Sequence, residues 1–233
     1  MAKRKLQVAD LTPMLSPLTS LLDVQQRVSL IEQTTVHTFK KNEVIYSEGD
    51  DPQFMHCLVA GKVKIHKLGA GGRRQIVRVV RPVEFFGYRA AFARQLYVNT
   101  AAAFEPSVIL RVPIAAIMLL MRINASLACF FVQRLATDLG RADERMVNLT
   151  QKHIQGRLAE SLLFLRDSYG MEEDGSTLSI YLSREDLASL SNMTTANAIR
   201  TLRAFCTENI LAVDGRKIKF LDVQRLEQIS RLG

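Results

Sequence analysis

The chain has 233 residues, of which 48% are apolar and 23% are charged. This composition excludes a disordered or fibrous protein and suffices for two modest domains with their own cores. The net charge of +8 favours an anionic partner. Residues 151–233, however, hold equal numbers of basic and acidic side chains, so the excess lies earlier, partly in Lys3-Arg4-Lys5.

The three cysteines, Cys57, Cys129 and Cys206, are far apart and form no CxxC pair. Such spacing favours reduced thiols in a cytoplasmic protein. The apolar stretch 112–121 contains Pro113 and is half the length of a membrane span. No apolar signal segment follows the basic N-terminus. We therefore expect a cytoplasmic protein without membrane insertion.

The N-terminal half of the chain begins as a mobile tail over residues 1 to about 16. Leucines at helical spacing then predict a helix over 17–33. Between Val36 and Arg111 short alternating strands are separated by turn residues such as those at 48–52 and 68–72. This pattern is typical of a closed β-roll or jelly roll. The first domain is predicted over residues 1–122.

A long helix is predicted over 123–149, because apolar residues recur there every three or four positions. One small domain cannot cover a helix of this length. The apolar positions form a stripe along the helix, which either packs on the β-roll or forms a parallel coiled coil with a second subunit. We favour the coiled coil. The members of the stripe are Leu127, Phe131, Leu135, Leu139, Ala142, Met146 and Leu149. Residues 148–150 are predicted to be a hinge.

The C-terminal part, residues 150–233, reads as a small mixed domain. A helix over 151–169 and an acidic loop over 170–176 precede a predicted strand at 178–181. Ser183 is the predicted N-cap of a short helix, with Asp186 three residues on as its acidic partner. Thr194 is the predicted N-cap of a second helix after a tight turn.

The second of these helices has two contrasting faces. Its apolar positions share one strip, whereas Ala196, Arg200 and Arg203 fall opposite them. A turn at 214–215 between two short strands then predicts a hairpin or wing. A helix with an apolar back and an arginine-bearing front, set behind a turn, can enter a DNA major groove. The pattern is that of a winged helix-turn-helix, and residues 191–219 carry the net charge of +3 that phosphate contact needs.

Each candidate DNA contact is assigned by its chemistry. Arg200 can bond guanine O6 and N7 in bidentate fashion, and Asn197 can read adenine or contact phosphate. Thr194 and Thr195, at a helix N-terminus, suit phosphate contact. The full predicted set is Ser183, Arg184, Thr194, Thr195, Ala196, Asn197, Arg200, Arg203, Arg216 and Lys217.

The order of β-roll, long helix, hinge and winged helix-turn-helix resembles the CRP/FNR family of bacterial transcription regulators, over about residues 18–222. Residues 39–50 resemble the family pattern F-x-x-x-x-x-I-Y-x-E-G-D, and 61–65 resemble the strand after its glycine turn. Residues 183–188 and 200–202 resemble the two DNA-reading helices. The resemblance implies an α+β fold with a double-stranded β-helix, a long dimerisation helix and a winged helix-turn-helix.

The chain departs from the cyclic-nucleotide binders that it resembles. Those members hold the ribose with Gly-Glu and the cyclic phosphate with Arg-Ser or Arg-Thr, but here the matching pairs are Gly87-Tyr88 and Val98-Asn99. Without the carboxylate and the guanidinium, cyclic AMP is not expected. By the resemblance, the candidate effector pocket comprises Gly87, Tyr88, Arg89, Val98, Asn99, Thr100, Ala142 and Asp143.

Other departures bear on cofactors and on the operator. No cysteine precedes Cys57, so the N-terminal iron–sulfur cluster of the family's oxygen sensors is not expected. Haem stays an alternative, since four histidines are available; they are His37, His56, His66 and His153. Relatives carry a glutamate where this chain has Ala196, so we expect a half-site different from the family's common one.

The function implied is that of a homodimeric transcription regulator that binds double-stranded DNA. RNA polymerase and an unidentified small-molecule effector are the further expected partners. The alternatives are a haem-based gas or redox sensor, and a ligand-binding or interaction module without a DNA function. An enzyme is not expected, because the chain has no G-x-S-x-G, no P-loop and no H-x-H pair for a metal site.

Overall fold

A computed structural model of the protein describes residues 12–69 and 72–233. Contacts divide these residues into two compact units. The first contains the described residues up to 68 together with 77–139, and the second contains those of 69–76 together with 140–233. The predicted tail before residue 12, with Lys3-Arg4-Lys5, lies outside the described residues, as does the centre of the turn at 68–72.

The helix predicted over 17–33 is interrupted in the structure. A 3₁₀ turn, Thr12–Leu15, leads into α1, Ser16–Thr19, and α2 spans Val24–Glu32. Asp23 caps α2, because its carboxylate accepts the Gln26 backbone N–H at 2.8 Å while the Gln26 side chain accepts the Asp23 N–H at 3.4 Å. This reciprocal capping box starts a new helix where the apolar spacing alone suggested a continuous one.

Eight strands form the predicted β-roll, and all of them lie in the first unit except the first three residues of β5. Two four-stranded sheets have the orders β1-β8-β3-β6 and β2-β7-β4-β5. A short helix, α3, spans Tyr88–Phe92 between β6 and β7. The strands are β1 Thr35–Phe39, β2 Val44–Tyr46, β3 Phe54–Ala60, β4 Val63–Leu68, β5 Arg74–Val80, β6 Phe85–Phe86, β7 Thr100–Ala103 and β8 Ser107–Pro113.

Alternation along β3 separates the core of this unit into two parts. Met55 and Cys57 belong to a helix-side core that includes Leu18 of α1. Leu58 faces the opposite way, into an interior core that includes Ile109 of β8. Successive side chains of a strand point to opposite faces, so one sheet supplies both cores.

Two helices follow the last strand of the roll. Helix α4 spans Ile114–Ile123 and α5 spans Ala125–Gln151. The predicted hinge at 148–150 is therefore helical, and the chain leaves the helix only at residues 152–153. No single helix of the described residues is long and apolar enough to cross a membrane; α4 and α5 meet that criterion only as a pair bent by 116°.

Helix α5 carries two apolar stripes rather than the single one predicted. Leu127 and Phe131 are 0% exposed in the helix-side core, so they are not available to a second subunit as we had expected. Val132, Leu139 and Met146, each seven residues from the next, are instead 61–63% exposed. Seven-residue spacing keeps these three on one face of the helix.

The second unit contains the C-terminal helices and a hairpin. Helix α6 spans Ile154–Tyr169, and helix α9 packs against it. The strand predicted at 178–181 is not formed; only isolated bridges link 171 with 178 and 177 with 219. The other elements are α7 Arg184–Leu190, α8 Thr195–Thr207, β9 Leu211–Asp214, β10 Lys217–Phe220 and α9 Val223–Leu232.

Candidate nucleic-acid interface

The two helices of the predicted DNA-binding motif begin at the predicted caps. The Ser183 hydroxyl accepts the Asp186 backbone N–H at 3.0 Å, and the Thr194 hydroxyl accepts the Asn197 N–H at 3.2 Å. Each bond satisfies one of the N–H groups that a helix leaves unpaired at its start. The seven residues of α7 and the thirteen of α8 are separated by a turn in which Asn192 has a φ of 50°.

Helix α8 has a buried back and an exposed front, as predicted. Ala198, Leu202 and Phe205 are at most 3% exposed and belong to the domain's core. The predicted front is open to solvent, including its two arginines and the residues at its N-terminus. These exposed residues are Thr194, Thr195, Ala196, Arg200 and Arg203.

Arg200 is held in position by a neighbour on the same face. Its Nη2 donates to the Asn197 Oδ1 at 3.1 Å. The bond engages the amide oxygen of Asn197, and it limits the directions in which the Arg200 guanidinium points. A side chain fixed in this way loses less conformational freedom when it binds a base.

Two of the predicted contacts on α7 are engaged within the protein. The Ser183 hydroxyl donates to the Asp186 Oδ2 at 2.8 Å in addition to accepting its N–H. Arg184 donates from Nη2 to the backbone oxygen of Gly215 at 2.7 Å. Both residues therefore act in the architecture of this domain.

The predicted wing is present as the hairpin β9–β10. Asp214 pairs with Lys217, so Gly215 and Arg216 form its two-residue turn. Gly215 has a φ of +54°, a conformation that glycine adopts without the strain a Cβ would cause. Arg216 and Lys217 are exposed, and the Lys217 ammonium lies 5.6 Å from the centre of the Tyr181 ring. The wing tip thus presents two cations to solvent.

Gly87, a residue of the candidate effector pocket, has other residues packed closely around its Cα. This residue has a φ of +83° and is the N-cap of α3. A Cβ at this position would lie 2.7 Å from the His56 Nδ1 and 3.2 Å from the Tyr97 hydroxyl. Both the backbone conformation and this close approach explain why the position is a glycine.

Tyr88 does not line the interior of the roll. It is 2% exposed in the helix-side core, where its ring centre lies 5.3 Å from that of Phe131. The resemblance assigned this position to ribose binding, but here the side chain packs against α5. Its prediction as a pocket residue is wrong for this reason. Arg89, the next residue, is exposed.

Three of the other predicted pocket residues are consecutive, at positions 98–100. Asn99 accepts a hydrogen bond from the Tyr46 hydroxyl at 3.4 Å, and Thr100 accepts the Glu48 N–H at 3.0 Å. Val98, one residue before Asn99, is half-buried. Ala142 and Asp143 are exposed on α5 and belong to the second unit.

Aromatic side chains occupy the interior near Gly87, which the sequence did not reveal. The rings of Tyr46 and Tyr97 stack with centres 3.7 Å apart, and both are buried. His56 packs beside Phe86 at 5.1 Å. A cyclic nucleotide would meet neither a carboxylate at residue 88 nor a guanidinium at residues 98–99. The residues present do not fit that ligand.

His56 is buried in the roll with a strongly perturbed pKa. Burial, together with the nearby Arg111 cation, lowers its pKa from 6.5 to about 3. Arg111 is its direct partner across β3 and β8. The His56 Nδ1 is buried without a hydrogen-bond partner among the described residues. The ring is therefore neutral at physiological pH.

Three of the histidines considered for haem lie in different local environments. His37 hydrogen-bonds Thr35 and His153 is the N-cap of α6, while His56 is enclosed by aromatic rings. Within 12–69 and 72–233 there is no group of three or more His, Cys, Asp or Glu side chains able to hold a metal ion. Cys57 is buried, and burial raises the pKa of its thiol to about 12, so it is not a thiolate.

Two family models match this chain, and together they cover more than half of it. Residues 36–124 match the cyclic nucleotide-binding domain, and residues 156–229 match the Crp-like helix-turn-helix domain. The first spans the roll and the second contains the winged motif. The cyclic nucleotide-binding model identifies the domain, although the residues at 87–88 and 98–99 differ from the pairs that the resemblance assigns to nucleotide binding.

Individual relatives agree with the two models. The nitrogen fixation regulation protein FixK of Azorhizobium caulinodans is 27% identical over 84% of this chain and 79% of its own length. The CRP-like cAMP-activated global transcriptional regulator of Mycobacterium tuberculosis is 21% identical over 87% of this chain and 91% of its own. The solved structure of FixK2 from Bradyrhizobium japonicum is 25% identical, with a TM-score of 0.75 over 84% of this chain and 96% of that one.

The roll, the long helix and the winged helix-turn-helix thus match one family in sequence and in fold, and its members are transcription regulators rather than enzymes. The chain belongs to the CRP/FNR family of transcription regulators.

Proposed function

We propose that the protein is a cytoplasmic, homodimeric regulator that binds a near-palindromic DNA site with helix α8 in the major groove. The observation that carries this proposal is the two-sided character of α8, with a buried apolar back and Arg200 on the exposed front. Two subunits present two such helices, and a two-fold protein matches a two-fold operator. RNA polymerase is the further partner expected of such a regulator.

Arg200 is the proposed reader of a base. Its guanidinium can donate two parallel bonds to guanine, and Asn197 holds it in place from one turn earlier. Arg203 lies on the same exposed face, one turn further on, and is proposed to contact phosphate. The two arginines are therefore expected to contribute differently to specificity.

The test compares Arg200→Ala with Arg203→Ala. A duplex selected by the full-length protein from a random library serves as the specific probe, and a scrambled duplex serves as the non-specific one. We expect Arg200→Ala to cost about 1–3 kcal/mol on the selected duplex alone, and Arg203→Ala to weaken both duplexes alike. Equal losses on both duplexes for Arg200→Ala would exclude it as a base reader.

The exposed stripe of α5 supports the proposed dimer. Val132, Leu139 and Met146 occupy one position of successive heptads, and Leu135, Ala142 and Leu149 occupy the other. Apolar side chains repeated in this way over several turns form the seam of a parallel coiled coil. Val132, Leu139 and Met146 are not part of the roll's own core, which uses Leu127 and Phe131 and has Leu135 packed against it.

The proposed regulation does not use cyclic AMP. The stacked rings of Tyr46 and Tyr97 and the lack of the two anion- and ribose-binding residues support an effector of another class, or regulation by protein abundance. Calorimetric titration with cyclic AMP checks this directly. We expect no heat of binding at millimolar nucleotide, and saturable binding would overturn this part of the proposal.

A further inference from the structure

Arg184 joins the first helix of the DNA-binding motif to the tip of the wing. It begins α7, and its Nη2 donates to the Gly215 oxygen at 2.7 Å across 31 residues of chain. Gly215 is the first residue of the wing turn, immediately before Arg216. The bond is thus made at the point where the wing's cations leave the hairpin.

The other terminal nitrogen of the Arg184 guanidinium is not directed at solvent. This nitrogen, Nη1, is buried and has no hydrogen-bond partner within the described ranges. A nitrogen buried in this way cannot meet a phosphate oxygen on the outside of the domain without a rearrangement. The side chain as a whole is half-buried, whereas Arg216 and Lys217 are exposed.

The base of the wing is secured independently of Arg184. The Leu178 N–H donates to the Ile218 oxygen at 2.9 Å, and the Phe220 N–H donates to the Ser176 oxygen at 2.8 Å. Ile218 and Phe220 are also buried. The tip lies beyond these bonds, so its direction depends on the turn and on what contacts the turn.

We propose that Arg184 is a positioning residue that orients the wing tip so that Arg216 and Lys217 reach the DNA backbone. This inference rests on the proposed DNA-binding function. It replaces the role expected from the sequence, in which Arg184 would itself contact DNA. Removal of the Arg184 guanidinium should then weaken DNA binding only by displacing the two wing cations, Arg216 and Lys217.

A double-mutant cycle separates a positioning role of Arg184 from direct contact between Arg184 and DNA. The variants are Arg184→Met, the pair Arg216→Gln with Lys217→Gln, and all three changes together, each tested as full-length protein on the selected duplex. The slope of log K against log salt falls by about 0.9 for each phosphate that the protein no longer neutralises. We expect Arg184→Met to lower the slope by more than about 0.9, and to have no further effect once the wing is neutral.

Additive losses in this cycle would show that Arg184 contacts DNA itself and would overturn the proposal. An unchanged slope for Arg184→Met would also overturn it. If the unmodified protein selects no duplex, the proposed function fails instead, and a measurement without DNA then decides the inference.

That measurement is amide exchange of the free protein. We expect Arg184→Met to speed exchange at residues 214–217 while leaving the base of the hairpin at 218–220 protected, because only the tip loses its anchor. Arg216→Gln serves as the matched control, since it changes the tip's charge without removing the bond to the Gly215 oxygen. Equal exchange at the tip in Arg184→Met and the unmodified protein would refute the anchor.

Discussion

Leu139→Ala is the sharpest test of the dimer, because this leucine lies in the middle of the exposed stripe of α5 and is 63% exposed in the single chain. The substitution removes about three carbons, each worth about 0.8 kcal/mol when fully buried. A partner can cover only the part of the side chain that is exposed in the single chain. Multiplied by that exposed fraction, the loss of dimer stability is about 1.5 kcal/mol per subunit and about 3 kcal/mol per dimer. At 1.4 kcal/mol per tenfold, the dimer dissociation constant should rise about a hundredfold.

Sedimentation equilibrium over a range of protein concentrations measures this constant. Val147→Ala is the matched control, since Val147 is 46% exposed on the same helix but lies one position away from the stripe. It should leave dimerisation unchanged. If both substitutions weaken the dimer equally, or if Leu139→Ala has no effect, α5 does not form the seam we propose.

Three further predictions concern the first unit. Phe131→Ala should destabilise folding by about 3–5 kcal/mol in urea titrations without changing the dimer constant of the molecules that stay folded, because its ring is fully buried. Gly87→Ala should lower stability by more than Gly49→Ala; both glycines have a positive φ, but only at Gly87 would a Cβ meet other atoms, at 2.7 Å. Since the His56 pKa is about 3 in the folded protein and near 6.5 when unfolded, the unfolded state binds the extra proton between these values. Stability should therefore fall as pH drops below about 6.5, by up to about 1.4 kcal/mol per pH unit. His56→Phe should remove this part of the pH dependence, and an unchanged slope would contradict the assignment.

The winged motif was predictable because its signals are local. Ser183 and Thr194 cap their helices through bonds to residues three positions later, and such bonds depend on little beyond the adjacent sequence. The apolar back of α8 follows from its periodicity alone. The partner of Arg184, by contrast, lies 31 residues away, so nothing near it in the sequence identifies the bond.

The long helix shows where periodicity is insufficient. Spacings of three and four residues run unbroken from Leu127 to Leu149, although the positions differ in what covers them. Leu127 and Phe131 are buried in the helix-side core and Leu135 packs against it, whereas Leu139, Ala142 and Met146 are exposed. A pattern of apolar residues predicts that a face is covered but does not say by what. The prediction for Tyr88 was wrong for a related reason. Its role was assigned by matching its position to that of the family's ribose-binding residue, but its side chain lies in the helix-side core and not in the interior of the roll.

The separation of the two stripes on α5 has an evolutionary consequence. Substitutions at Val132, Leu139 and Met146 change a surface that the fold of the single chain does not use. After a gene duplication, two copies could therefore diverge in pairing preference at these positions while each kept its folded roll. Few substitutions would be needed to stop the two duplicated regulators from pairing with each other, and none of them would lie in the DNA-binding surface.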